Sequence, residues 1–90
     1  MTKADIINEI SRATGMEKAA VSLVVEKFME TIKDSLASGN NVALRGFGSF
    51  IAKTRKEKIA RNINRQTTVI VPSRRVPTFK ASRLFVEELN

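Results

Sequence analysis

The feature that most constrains the fold is a strongly basic stretch at residues 53–75. It contains eight Lys or Arg residues and one acid, Glu57, so its net charge equals the formal +7 of the whole chain. β-Branched residues such as Ile59, Val69 and Ile70 alternate roughly with polar ones on both sides of a polar segment at residues 62–66. A structureless basic linker has no need of such residues. The pattern therefore predicts a long β-hairpin arm over residues 53–75.

The arm leaves little chain for a core. Of the 90 residues, removing the 23 of the arm leaves 67. Domains of this size are marginal unless disulfides, a metal or oligomerisation supports them. The chain has no Cys and no His, which removes disulfides and the usual zinc sites. The composition therefore predicts an oligomer, and we expect neither a cofactor nor a metal.

The same absences argue against catalysis. Without His or Cys the chain lacks the commonest general base and the best nucleophile, and its nine acids show no paired-carboxylate spacing. We therefore do not expect an enzyme. The N-terminal segment lacks the apolar run of a signal peptide, and no apolar span approaches membrane length. These features predict a soluble cytoplasmic protein without a membrane partner.

Charge divides the chain into two halves. Residues 1–40 contain five bases and six acids, whereas residues 41–90 contain eleven bases and three acids. We interpret residues 1–40 as a helical dimerisation part. We expect residues 41–90, with the arm at about 53–75, to bind a polyanion.

Two amphipathic helices are predicted in the first half. Thr2 and Asp5 have the spacing of a capping box, and helical periodicity then continues to Gly15, which predicts a helix over residues 3–14. A second helix is predicted over residues 18–38, ending before Gly39. Its broad apolar stripe is expected to pack on the chain's own sheet and on a second subunit; it contains Val21, Val24, Val25, Phe28, Met29, Ile32 and Leu36.

The second half predicts a small antiparallel sheet. Strands are expected at residues 42–45, 49–52 and 76–80, with a tight turn or bulge around Phe47. Ser82 is expected to cap a short helix over residues 83–89, with Leu84, Phe85 and Leu89 facing inward. The predicted fold class is α+β: two N-terminal helices, a three-stranded antiparallel sheet with a long β-ribbon arm, and a short C-terminal helix.

Three motifs together resemble the bacterial histone-like HU/IHF family of DNA-binding proteins. They are Arg-Gly-Phe-Gly-Ser-Phe at residues 45–50, Arg61-Asn62, and Val-Pro-Thr-Phe-Lys at residues 76–80. The resemblance covers essentially the whole chain, residues 1–90, as a single domain. It implies an intertwined homodimer, or a heterodimer with a paralogue, whose two arms wrap double-stranded DNA through the minor groove in the nucleoid.

The resemblance and the charge pattern together predict the residues of the DNA-binding site. The family likeness implies phosphate contacts from Lys53, Arg55, Lys58, Arg61, Arg75, Lys80 and Arg83; the basic run and the arm tip add Lys56, Asn62, Ile63, Arg65 and Arg74. Ile63 stands where the family has proline, and we expect it to act as a wedge between base steps. The expected dimer core comprises Val25, Phe28, Met29, Ile32, Leu36, Leu44, Phe47, Phe50 and Phe79.

The leading interpretation is an architectural protein that binds duplex DNA with little sequence preference and bends it or stabilises bent DNA. The first alternative is an IHF-like bender that prefers particular sequences. A structural RNA-binding protein is a third interpretation, because affinity for a polyanion does not by itself select a sugar. The low aromatic content of the arm argues against stacking on single strands.

Overall fold

A computed structural model of the chain describes residues 1–56, 58–62, 67–71 and 73–90. The chain divides into two compact units, Met1–Asp34 and Ser35–Asn90. Within the described ranges it forms three helices and five strands: α1 (Lys3–Thr14), α2 (Lys18–Ala37), β1 (Val42–Leu44), β2 (Gly48–Arg55), β3 (Lys58–Asn62), β4 (Thr67–Val71), β5 (Arg74–Ala81) and α3 (Arg83–Glu88). The α+β class and the order of elements predicted from the sequence are confirmed.

The first helix begins at the predicted capping box. The Thr2 hydroxyl accepts a hydrogen bond from the Asp5 amide at 3.3 Å, and the Asp5 carboxylate accepts one from the Thr2 amide at 2.8 Å. Hydrogen bonds from the Thr2 backbone and side chain lower the pKa of Asp5 below its ordinary value. At the other end, Gly15 has a φ of +76° and donates its amide to the Ser11 carbonyl. Both boundaries of α1 therefore agree with the sequence prediction.

The second helix is joined to the first turn of α1 by an ion pair between Lys3 and Glu26. The hydrogen bond from Lys3 lowers the pKa of Glu26, and the positive charge of Lys3 lowers it further. Val21 is the most deeply buried side chain described in this unit, with 2% of its surface exposed. The helix ends at Ala37, one residue earlier than the sequence predicted.

The three-stranded sheet has the order β1-β2-β5 and is antiparallel throughout. A tight turn joins its first two strands, with the Phe47 amide donating to the Leu44 carbonyl at 3.0 Å. β2 and β5 pair over eight residues, from Gly48 opposite Ala81 to Arg55 opposite Arg74. This long ladder forms the lower part of the predicted arm.

A second, two-stranded sheet follows. β3 and β4 pair from Lys58 opposite Val71 to Asn62 opposite Thr67. The sequence predicts a long β-hairpin arm over residues 53–75, and strand pairing in this region is divided between the β2-β5 and β3-β4 ladders. The intervening positions include Pro72, which lies outside the described residues and has no amide hydrogen to contribute to a ladder.

The C-terminal helix corrects one expectation about packing. Ser82 caps it as predicted, accepting a hydrogen bond from the Phe85 amide at 3.1 Å. Of the three side chains expected to face inward, Phe85 packs against Phe47, but Leu84 and Leu89 are 61% and 75% exposed. The helix has only six residues, so one face meets the rest of its unit and the other side chains remain in solvent.

The apolar core of one chain is incomplete. Among the described residues, the only buried hydrophobic side chains are Val21 and Leu36. Of the other residues expected in a dimer core, Val25, Met29, Ile32, Leu44 and Phe50 are half-buried, whereas Phe28, Phe47 and Phe79 are exposed. Leu23 and Val24 are also exposed, each by 61%, and Leu23 was outside the predicted stripe. So much exposed apolar surface in a small chain indicates a protein-protein interface.

No helix within the described ranges has both the length and the apolar character that crossing a bilayer requires.

Candidate nucleic-acid interface

The site is built on the alternation of side chains along β2 and β5. Neighbouring residues of a strand point to opposite faces, and residues paired across a ladder point to the same face. The observed register therefore separates the strands into two sets. One set contains Lys53, Arg55, Arg74 and Lys80, and we call it the cationic face.

The opposite set forms the packing face, defined by Val42, Leu44, Phe50 and Phe79. Phe50 and Phe79 are directly paired across the strands, with ring centroids 5.1 Å apart. Phe47 extends the cluster, lying 5.0 Å from Phe79 and 5.5 Å from Phe85. The four rings hold the sheet to the turn before β2 and to α3.

Gly48 allows the Phe79 ring and the backbone of β5 to approach β2 closely. A Cβ atom at this position would lie 2.5 Å from the Lys80 carbonyl oxygen and 2.6 Å from Cζ of Phe79. No side chain fits there without moving backbone, so the ring of Phe79 lies directly over the glycine. This contact accounts for the second glycine of the motif at residues 45–50 in steric terms.

The cationic face is solvent-exposed and contains no acid. Lys53, Arg55, Arg74 and Lys80 are exposed, and none forms an ion pair among the residues that the structure describes. Arg55 and Arg74 are direct partners across the ladder, an arrangement in which like charges repel. A bound anion would relieve this repulsion. The face thus has the electrostatics of a polyanion site.

A second group of cations surrounds an open cleft of about 490 Å³ beside the turn between β1 and β2. Arg45, Lys80 and Arg83 line it together with Ser49 and Ser82. The Ser82 amide donates to the Phe47 carbonyl at 2.8 Å, which ties α3 to the turn. Arg45 was not among the site residues predicted from the sequence, where it belongs to a structural motif. The sequence feature that could have identified Arg45 is its position as a single cation immediately before Gly46 in the turn.

The remaining predicted residues divide into three groups. Lys56 follows β2 and is exposed, and Lys58, Arg61 and Asn62 lie on β3. Ile63 and Arg65 lie outside the described residues. Arg75 is on the packing side of the ladder, where its guanidinium donates to the Leu36 carbonyl oxygen at 2.6 Å. The fold therefore brings Lys53, Arg55, Arg74 and Lys80 together on one face and places Arg75 on the other.

Comparisons with known proteins identify the family of the chain. The family model described as "Bacterial DNA-binding protein" matches residues 1–90. Integration host factor subunit alpha of Anaeromyxobacter sp. (strain Fw109-5) is 36% identical over 90 residues, covering 100% of this chain and 91% of the relative. DNA-binding protein HU of Thermotoga maritima is 35% identical over 91 residues, covering 99% of each chain. An Anabaena HU-DNA cocrystal structure superposes with a TM-score of 0.91 at 32% identity, covering 99% of this chain and 97% of the other.

Proposed function

Since the chain belongs to the HU/IHF family of bacterial DNA-binding proteins, we propose that it is an architectural protein that binds duplex DNA with little sequence preference and bends it. The observation that carries the proposal is the cationic face: four exposed cations on one side of a sheet, with Arg55 paired to Arg74. The likeness to an HU chain crystallised with DNA supports a duplex as the polyanion.

The cationic face favours affinity over sequence readout. Lys and Arg that neutralise phosphates release counterions, and this term depends on salt but not on base sequence. We propose that Lys53, Arg55, Lys56 and Arg74 contact the phosphate backbone at the base of the arm. Arg45, Lys80 and Arg83 around the cleft provide a second set of phosphate contacts.

The ribbon supplies the bending. A two-stranded ribbon is too bulky for an undeformed minor groove about 6 Å wide, so its entry requires the groove to open and the duplex to bend. We propose that Lys58, Arg61, Asn62 and Arg65 follow the groove. In sequence Ile63 belongs to the connection between β3 and β4, and we propose that it enters a base step as a wedge.

Proteins of this family are dimeric, and dimerisation covers the apolar surface that one chain leaves exposed. We propose a homodimer, or a heterodimer with a paralogue, that acts on the nucleoid in the cytoplasm. The dimer presents two arms to one duplex. Two arms that meet the DNA at separate points bend it more effectively than one.

The test compares Arg55→Ala with Arg12→Ala, which removes an arginine from α1 that is already paired with Glu9. Affinity is measured by titration at several salt concentrations against unrelated duplexes of equal length and against an RNA duplex. We expect Arg55→Ala to weaken binding to all DNA sequences alike and to flatten the slope of log affinity against log salt by about 0.9 per lost contact. Arg12→Ala should leave the slope unchanged.

Other outcomes distinguish the alternatives. A large affinity ratio between duplex sequences of equal length would favour the sequence-preferring bender. Equal affinity for the RNA duplex would favour the RNA-binding alternative. Equal slopes for Arg55→Ala and wild type would show that Arg55 does not contact phosphate.

A further inference from the structure

Arg75 differs from the other cations of the arm base in the face on which it lies. It pairs with Thr54, whereas its neighbour Arg74 pairs with Arg55. By strand alternation this places Arg75 on the packing face, with Phe50 and Phe79. Adjacent arginines with the same charge are therefore directed to opposite sides of the sheet.

On that side the Arg75 guanidinium meets the C-terminal end of α2. Its NH2 group donates to the Leu36 carbonyl oxygen at 2.6 Å, and Leu36 is itself buried. The same oxygen accepts the Gly39 amide at 3.1 Å, so both of its lone pairs have donors. Arg75 is exposed as a residue, but this hydrogen bond is partly buried, so loss of the guanidinium removes one of the two protein donors of the carbonyl.

The end of α2 has a complete C-terminal capping arrangement. The Asn40 amide donates to the Ser35 carbonyl at 2.9 Å, the Gly39 amide donates to the Leu36 carbonyl, and Gly39 has a φ of +86°. These are the paired hydrogen bonds of a Schellman motif. What the helix lacks is a cation, because its last turn contains no basic residue. The negative end of a helix dipole favours positive charge, and Arg75 supplies it from β5.

We propose that Arg75 is a positioning residue rather than a phosphate ligand: it caps α2 from β5 and thereby holds the base of the arm, so that Arg55 and Arg74 face the DNA. The functional part of this inference rests on the proposed DNA binding, whereas the capping part does not. It separates Arg75 from the phosphate contacts that the family resemblance implied for it.

The test pairs Arg75→Met with Arg74→Met, because both replace an arginine with an uncharged, flexible side chain at adjacent positions. We expect Arg75→Met to lower Tm by about 2 to 4 °C, the effect of losing one stabilising contact in a folding unit of the size of the dimer. It should also speed hydrogen exchange at the Gly39 and Asn40 amides. Arg74→Met should neither lower Tm nor speed exchange at these amides, and Arg75→Lys, which keeps a charged donor, should restore most of both.

In DNA titrations we expect Arg74→Met, and not Arg75→Met, to change the salt dependence of binding. Arg74→Met should flatten the salt slope by about 0.9 per lost phosphate contact. Arg75→Met should keep the wild-type slope while lowering affinity at every salt concentration, because the arm base is held less firmly. Arg75→Lys should recover that affinity.

The proposal is overturned if Arg75→Met flattens the salt slope as much as Arg74→Met, or if it leaves Tm and the two amide exchange rates unchanged. A wild-type protein that binds no duplex would instead refute the proposed function. In that case Tm and amide exchange still decide whether Arg75 caps α2.

Discussion

The two faces of the β1-β2-β5 sheet are made from alternating residues of the same strands, yet one is apolar and packs whereas the other is charged and exposed. The packing face pairs Phe50 with Phe79, and the cationic face pairs Arg55 with Arg74. Contact between the rings of the first pair stabilises the fold, although Phe79 is still 40% exposed in one chain. Repulsion between the two arginines of the second pair is destabilising until an anion binds. Apolar packing and the proposed DNA contacts thus lie on separate sides of one ladder.

This separation makes strand register the central structural requirement. A slip of one residue would move the side chains of the slipped strand to the opposite faces, so that its cations would lie among the rings. Gly48 opposes such a slip because the Phe79 ring and the Lys80 carbonyl occupy the space that any Cβ atom there would need. Under the proposed binding mode the glycine therefore acts indirectly, by keeping Lys53, Arg55, Arg74 and Lys80 on the cationic face.

The largest expected effect is on the packing face. Phe50→Ala removes a ring that contacts Phe79 across the ladder, and we expect a loss of about 3 to 5 kcal/mol in the free energy of unfolding of the dimer. Chemical denaturation at fixed protein concentration measures this loss, with Phe50→Leu as a control that keeps a large apolar side chain but removes the ring. Sedimentation should show weaker association of Phe50→Ala. A loss below about 1 kcal/mol would mean that the ring is not part of a buried core.

The second expected effect is a steric one on the same face. Gly48→Ala introduces a Cβ atom 2.5 Å from backbone, and we expect a loss of about 1 to 3 kcal/mol. The control is Ser49→Ala, one residue away and on the opposite face, which should change stability by less than about 0.5 kcal/mol. Equal losses for the two variants would show that alternation does not separate the faces at this point.

Local chemistry explains which parts of the fold were predictable from the sequence. The Thr2 and Asp5 capping box and the glycines at positions 15 and 39 act within a few residues, so the ends of α1 and α2 agree with the prediction to within one residue. The cluster of cations was also predictable, because charge density requires no knowledge of tertiary contacts. Charge density alone therefore indicates a polyanionic partner.

The unpredicted features depend on residues far apart in sequence. The register of β2 with β5 decides that Arg74 and Arg75 lie on different faces, and neither residue alone reveals it. The capping contact joins Arg75 to a carbonyl 39 residues earlier in the chain. Arg45 reaches the cleft only because the turn lies beside α3. In each case tertiary placement changes the role of a side chain whose chemistry was already evident.

The smallest expected effect sharpens the contrast most directly, because it should change stability and affinity in opposite directions. Arg74→Glu places a carboxylate opposite Arg55 and turns a repulsive pair into an attractive one. Both positions are exposed, so we expect a gain of only about 0.5 kcal/mol in the free energy of unfolding. DNA affinity should fall, with a flatter salt slope, because a phosphate contact is replaced by a like charge. Arg74→Ala removes the repulsion without adding attraction and should lie between wild type and Arg74→Glu in both measurements. If Arg74→Glu lowers stability, or leaves affinity unchanged, the Arg55-Arg74 pair is not a strained anion site, and the cationic face must bind DNA through its other members.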